Sequence, residues 1–352
     1  MKTKQPLFMV TAFIFLIYSV TAIPIPLGTL YNNASYQNIT TYVGNEQLTH
    51  PCVLYNETGW NGYKYLMGFT PYPFTQSIYE NPSMRYSNDG FNWIKIPGQP
   101  DPVIGRPSIG YLSDPCIEVK NETLFLFYRY ANQSPDTDIV YYNYTTTTDG
   151  VIWTTPVKMT MEKTRSSSFI YNGTGWESWG HNVTTGKLTH FTTDDLVTWT
   201  QSGSMEINTT GYTPWHSEVK KYDNRYMLLI SETPYKDLRF YTSSDGLFWS
   251  YEHNRTPVLT GNLTTGAWDK ELYKSSFVEL NNTYKVWYAG IDNVTNHMRI
   301  GYTAYPGAST PPATSSITVT APNGGETWQR GTPHTITWDY TCLLYTSDAA
   351  DE

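Results

Sequence analysis

Short runs rich in Tyr, Thr, Phe and aliphatic residues, each closed by a tight-turn signal, recur along the chain between about residues 50 and 305. Four of them end alike: Ser87-Asn88-Asp89-Gly90-Phe91-Asn92-Trp93, Thr147-Thr148-Asp149-Gly150-Val151-Ile152-Trp153, Thr192-Thr193-Asp194-Asp195-Leu196-Val197-Thr198-Trp199 and Ser243-Ser244-Asp245-Gly246-Leu247-Phe248-Trp249. Asp-Gly between two apolar runs marks a hairpin, because Gly accepts positive φ and Asp hydrogen-bonds its own turn backbone. The Trp three residues past the Gly position can fold back over the turn and bury a large apolar surface. Asp89, Asp149, Asp194 and Asp245 recur at intervals of about 50 residues, the signature of a propeller with one such hairpin per blade.

Five units fit this frame. They open at His50-Pro51-Cys52, Ser113-Asp114-Pro115-Cys116, Arg165-Ser166-Ser167, Pro214-Trp215-His216 and Tyr273-Lys274-Ser275. Each reads as strand, short turn, strand, loop and strand, followed by the Asp-Gly turn and an outer strand. The predicted fold class is therefore all-β: a five-bladed β-propeller over residues 23–307, followed by a truncated β-sandwich fragment. A β-sandwich throughout is the competing arrangement. The fifth unit stops near Tyr305 without an Asp-Gly turn, so residues 39–43 are expected to complete that blade and cover its edge.

Composition agrees. Aromatic residues make up 16% of the 352 positions and charged residues only 15%, as half-buried strands require. The net charge of −8 and the lack of a basic patch exclude nucleic acid as a partner and favour a neutral or cationic ligand. Lys2 and Lys4 precede an apolar run that ends in Val20-Thr21-Ala22, which predicts a signal peptide over residues 1–22 and an extracellular or cell-surface protein. Sequons at Asn38, Asn56, Asn121 and Asn143, among others, agree with export and glycosylation. Ser/Thr/Pro-rich residues 308–316 read as a linker.

Residues 317–341 resemble the first strands of the Ser/Thr-rich, wall-anchored β-sandwich repeat of microbial surface proteins, which implies cell-wall or surface-layer attachment. Residues 342–352 resemble a translated sequencing adapter, which would put the end of the natural sequence near Thr341.

The first strand of each blade lines a propeller's channel, and ligands sit at one mouth. The residues opening those strands are the candidates: His50, Asp114, Arg165 with Ser166, His216 with Glu218, and Glu271 with Lys274. The aspartates of the hairpin turns lie away from that channel and are scaffold.

Five blades, Ser-X-Asp-Gly-X-X-Trp turns and an Asp-Pro opening the second blade resemble glycoside hydrolases of families 43 and 32, over residues 47–305. That resemblance implies a polysaccharide or other glycan as partner, with paired carboxyls flanking the glycosidic bond. Asp114 falls at the family's second-blade carboxylate. The first blade has His50 where those families place a catalytic Asp, and the third opens with Arg165-Ser166 where they place Glu. Asp114, Glu218 and Glu271 are the catalytic candidates, with Glu80 and Asp269 as further carboxylates. His50, His216, Arg129, Trp215 and Lys274 are the substrate-binding candidates; Arg129 has an ion pair as its plainer reading. Trp60, Trp176 and Trp215 could each stack on a sugar or fill the core. No metal ligand is assigned, and Ca²⁺ in the channel stays open. Cys52 and Cys116 each follow His50 and Asp114 by two residues, so they are either a disulfide between adjacent inner strands or two thiols. A catalytically silent carbohydrate-binding or adhesion module, or a structural surface-layer component, is the alternative to an enzyme.

Overall fold

The computed structural model describes residues 36–306, apart from 135–136, 206, 208–212, 223–224, 234–236, 252–256, 264–265, 282 and 293, together with 316–322, 324–325, 327 and 335–341. The predicted signal peptide, most of the linker and residues 342–352 lie outside the described residues.

Five antiparallel sheets, taken in chain order, form the five-bladed propeller. The first holds β1 (Leu48–Trp60), β2 (Tyr63–Pro71) and β3 (Ser83–Ser87), with an isolated bridge between Tyr86 and Ile94 where a fourth strand would run. The second holds β4 (Tyr111–Lys120), β5 (Thr123–Ser134), β6 (Thr137–Thr147) and β7 (Val157–Glu162). The third holds β8 (Thr164–Tyr171), β9 (Trp176–Asn182), β10 (Leu188–Thr193) and β11 (Thr200–Met205). The fourth holds β12 (Thr213–Tyr222), β13 (Arg225–Thr233), β14 (Asp237–Ser243) and β15 (Ser250–Tyr251). The fifth holds β16 (Glu271–Leu280), β17 (Thr283–Ile291) and β18 (Met298–Pro306).

The second strands are largely buried, and most carry an apolar run such as Met227-Leu228-Leu229-Ile230, whereas β9 buries Glu177, Ser178 and His181 beside its tryptophans. The cores lie between blades, where aromatic faces meet. Phe127 of the second blade stacks on Phe169 of the third with centroids 4.2 Å apart.

The N-terminal stretch does reach the fifth blade, at a slightly earlier point than the sequence suggested. The Gln37 N–H donates to the Ile300 carbonyl of β18 at 2.7 Å, and Ile39 is buried in the cluster of Val53, Trp287 and Ile300. Residues 40–43 turn away instead of pairing. Thr40 offers its carbonyl to Arg85, and the Tyr42 hydroxyl donates to the Tyr79 carbonyl, both in the first blade.

The hairpin turns use one scheme of hydrogen bonds. Oδ1 of Asp89, Asp149, Asp195 and Asp245 each accepts two backbone N–H groups, from the residues two and three positions on. The third turn therefore belongs to Asp195 and not to Asp194. Leu196 then occupies the place of Gly at φ +64°, beside +81°, +76° and +72° for Gly90, Gly150 and Gly246. Two of the turns also dock neighbouring blades. Trp287 of the fifth blade donates to the Gly90 carbonyl at 3.0 Å, and Trp179 of the third donates to the Gly246 carbonyl at 2.8 Å.

The C-terminal residues form a separate compact unit, in which β19 (Ser316–Ala321) pairs antiparallel with β20 (Thr337–Thr341).

Candidate functional site

Each inner strand breaks register with its neighbour at the same level. The shifts fall between Thr49 and Cys52, Ser113 and Cys116, Arg165 and Ser168, Pro214 and His216, and Leu272 and Ser275. A bulge bends its strand and re-aims a side chain. In three blades the bulged residue takes a left-handed backbone: His50 at φ +54°, Asp114 at +47° and Ser166 at +51°. For residues other than Gly that conformation costs about 1–3 kcal/mol each, and such strain gathers at functional sites. Here it turns His50, Asp114 and Ser166 toward one mouth of the channel.

Asp114 is the centre of the cluster and is fully buried. Its Oδ2 lies 3.1 Å from Arg129 Nε and accepts the Ser166 backbone N–H at 3.2 Å. Its Oδ1 has no hydrogen-bond partner and faces two imidazoles, His50 Nε2 at 3.5 Å and His216 Nδ1 at 3.7 Å. Burial alone would raise this carboxyl's pKa; Arg129, His50 and Lys274 outweigh it and hold Asp114 well below the usual carboxylate range. Burial dominates at the histidines, bringing His50 down to about 3 and His216 well below its ordinary value, so both rings are neutral near pH 7.

The second ring contacts explain how these neutral imidazoles are held. His50 Nδ1 lies 2.9 Å from Thr70 Oγ1, and Ser166 Oγ is hydrogen-bonded to His216 Nδ1. In the tautomer that donates its Nδ1 proton to Thr70, His50 would present an Nε2 lone pair to the unpartnered Asp114 Oδ1, a pairing that a cation between them would reconcile. In the other tautomer the Nε2 proton is directed at that oxygen. His50, Asp114 and His216 can each offer one ligand atom, with those atoms within 4.8 Å of one another. Ligands about 2.1 Å from a tetrahedral Zn²⁺ lie about 3.4 Å apart, close to the two separations above. Two imidazoles and one carboxylate suit a transition ion of that kind, not Ca²⁺, which takes six to eight oxygens.

Above the cluster opens a cavity of about 510 Å³, lined by His50, Tyr72, Glu80, Arg129, Trp215 and Tyr273, among others. Glu80 comes from the loop between β2 and β3, and its Oε2 is 3.8 Å from His50 Nδ1. Burial raises its pKa well above the usual carboxylate value, with Arg129 opposing. Lys274 is buried beneath and donates from Nζ to the Pro115 carbonyl at 3.2 Å.

The structure thus gathers Asp114, His50, His216, Arg129, Trp215 and Lys274 at one mouth. Arg129 is both a pocket wall and the ion-pair partner of Asp114. Glu218 is placed elsewhere. It accepts hydrogen bonds from Ser276 Oγ at 2.9 Å and the Phe277 N–H at 3.0 Å, and lies 3.6 Å from Lys220 Nζ. It lines a second cavity of about 480 Å³ with Glu118, Lys220 and Glu279, further along the inner strands. Glu271 and Asp269 do not line the first cavity, and Asp269 is buried and accepts a hydrogen bond from the Tyr288 hydroxyl. Trp60 and Trp176 are core residues. Cys52 and Cys116 are thiols with sulfurs 3.5 Å apart, beyond the 2.05 Å of a bond. Tyr72, Tyr111 and Tyr273 escaped the sequence reading, since nothing local separates three tyrosines from the other members of a set of 30.

No family model matches the chain. A curated relative, the A type blood N-acetyl-alpha-D-galactosamine deacetylase of Flavonifractor plautii, is 25% identical over 337 residues, covering 75% of this chain. The chain spans 43% of that relative's length. The crystal structure of an N-acetylgalactosamine deacetylase from F. plautii with blood group B trisaccharide aligns at a TM-score of 0.68 and 22% identity, covering 77% of this chain and 94% of that one. A xylan beta-1,4-xylosidase from Bacillus halodurans aligns at 0.57 and 12%, covering 77% and 54%. The structures this chain resembles are thus carbohydrate-acting propellers, and at these identities the likeness establishes the five-bladed fold.

Proposed function

We propose that the first cavity is the active site of an exported hydrolase that removes an N-acyl group from an amino sugar within a glycan. The observation that carries this reading is the His50–Asp114–His216 cluster, with an unpartnered Asp114 Oδ1 facing two neutral imidazoles. A divalent cation bound there would supply Lewis acidity and a water of lowered pKa. Asp114 and the two histidines would hold the ligand geometry, with Thr70 orienting His50 and with Arg129 and the Ser166 backbone N–H orienting Asp114. Glu80 lies on the cavity wall with its carboxyl pushed toward the protonated form by burial. It can pass a proton to the departing amine as the C–N bond breaks and take one back from the water that adds to the carbonyl carbon. Trp215, 36% exposed at the rim, offers a face for a sugar ring. The named activity of the F. plautii relative supports this reading, and the N-terminal sequence supports export.

A second reading, glycoside hydrolysis, is favoured by the opposed shifts of two carboxyls around the His50 ring, burial raising Glu80 and Arg129 with its neighbours holding Asp114 low. Product analysis separates the two. Oligosaccharides ending in N-acetylgalactosamine or N-acetylglucosamine are incubated with the protein, with and without added Zn²⁺ or Mn²⁺. Acetate release that is lost in His216→Ala supports deacylation. New reducing ends without acetate reject it in favour of glycoside cleavage.

A further inference from the structure

The net charge of −8 suggests a neutral or cationic ligand, but the cavity carries the opposite local sign. Around it, Arg129, Arg165 and Lys274 stand against two carboxyls, Asp114 and Glu80. Arg129 and Asp114 neutralise each other at 3.1 Å. Arg165 is different. No described carboxylate comes within ion-pair distance of it, and its buried Nε has no hydrogen-bond partner.

Its surroundings hold it in readiness. Arg165 sits at the bulge of β8, opposite His181 of β9, a buried imidazole whose own nitrogens make no hydrogen bonds. The Trp215 ring lies 4.3 Å from the guanidinium carbon. Packing on an aromatic face fixes the guanidinium plane and leaves its edge as the donor surface. Arg165 and Trp215 both line the cavity, so that edge borders the space a substrate would fill. A planar fork of N–H donors matches a carboxylate in two parallel hydrogen bonds.

We propose that Arg165 is a specificity residue that recognises an acidic substituent, foremost a uronate carboxylate, on the sugar next to the acyl-bearing one. The inference rests on the cavity being the glycan site. The substrate class is then an acidic glycan, and Trp215 is a positioning residue that sets the plane of the fork. The field around the cavity also assists, since a pocket of one sign concentrates ligands of the other against the charge of the whole protein.

Binding, measured apart from turnover, tests this. The probes are an unsulfated chondroitin tetrasaccharide, in which glucuronate alternates with N-acetylgalactosamine, its carboxyl-reduced neutral counterpart, and a sulfated carboxyl-reduced form. Calorimetry on the intact protein should show the uronate probe binding at least about tenfold tighter than the neutral one, a margin of about 1.4 kcal/mol. Arg165→Gln should erase that margin while leaving neutral-probe affinity within about twofold. Arg165→Lys should keep part of it, and Trp215→Leu should shrink it without a fall in melting temperature. Equal binding of uronate and neutral probes, failure of the uronate probe to bind, or an equal loss of both in Arg165→Gln overturns the proposal. Preference for the sulfated reduced probe over the uronate overturns the carboxylate assignment. Acetate release is followed separately: a uronate preference without any acetate keeps this inference and rejects deacylation.

Discussion

Asp114→Asn is the substitution that probes the site most directly. It keeps the side chain's shape and its acceptor for the Ser166 N–H, and it removes the one negative charge facing Arg129, two imidazoles and Lys274. Removing one partner of a buried ion pair leaves the other uncompensated and costs about 3–5 kcal/mol. Arg129 then keeps the Ser113 hydroxyl at 2.8 Å as an acceptor, which does not neutralise a charge. The double substitution Asp114→Asn/Arg129→Gln removes both charges, so its cost should fall below the sum of the two single costs by about 1–3 kcal/mol. Urea unfolding followed by tryptophan fluorescence gives the midpoints. The pH dependence adds a second test. The folded Asp114 carboxyl lies below the ordinary Asp value of about 4, so its stabilisation is complete above that pH and is lost as the pH falls toward the folded value. Wild type should therefore lose stability on acidification more steeply than Asp114→Asn. Additive costs within about 0.5 kcal/mol, with parallel acid limbs, would refute the account of Asp114 as the charge that holds this cluster together.

Gly246→Ala should destabilise more than Gly62→Ala. Both glycines have positive φ, a cost of about 1–2 kcal/mol for Ala, but a Cβ at Gly246 would lie 2.7 Å from Trp179, while one at Gly62 meets nothing within 4 Å. Overpacking adds about 1–3 kcal/mol at the first, and equal melting temperatures for the two variants would contradict the turn-to-blade docking. Thr70→Val should weaken Zn²⁺ binding about 10–100-fold, read by competition with a fluorescent chelator, because His50 loses the partner that orients its ring. Glu218→Gln should lower stability by about 1–3 kcal/mol, through weakened bonds to Ser276 and Phe277, and leave acetate release at the wild-type rate. Loss of activity with a native melting temperature would return Glu218 to the site.

Blade number and order were legible in the sequence, because the signals that carry them are local. An Asp carboxylate bonding N–H groups two and three residues on, a Gly at positive φ and a Trp folding over the turn are all written within seven positions. Stepping back from each turn also located the inner strands, and with them Asp114, His50 and His216. Even so, one turn was misplaced by a residue, since Leu196 takes the conformation that a reader assigns to Gly.

Which carboxylates share a mouth was decided only by closure of the propeller. His216 and Glu218 stand two residues apart on β12, yet one faces Asp114 and the other is bound by Ser276 and Phe277 of the fifth blade. Glu80 reaches the cavity from a loop, and Arg165 ends beside Trp215 of a different blade. Those meetings depend on the bulges that shift register at one level in all five inner strands, and on contacts between residues some 50 or more apart in sequence. A turn is specified by its own few residues, whereas a bulge is specified by the strand it fails to match, and that strand is chosen only when the sheets pack.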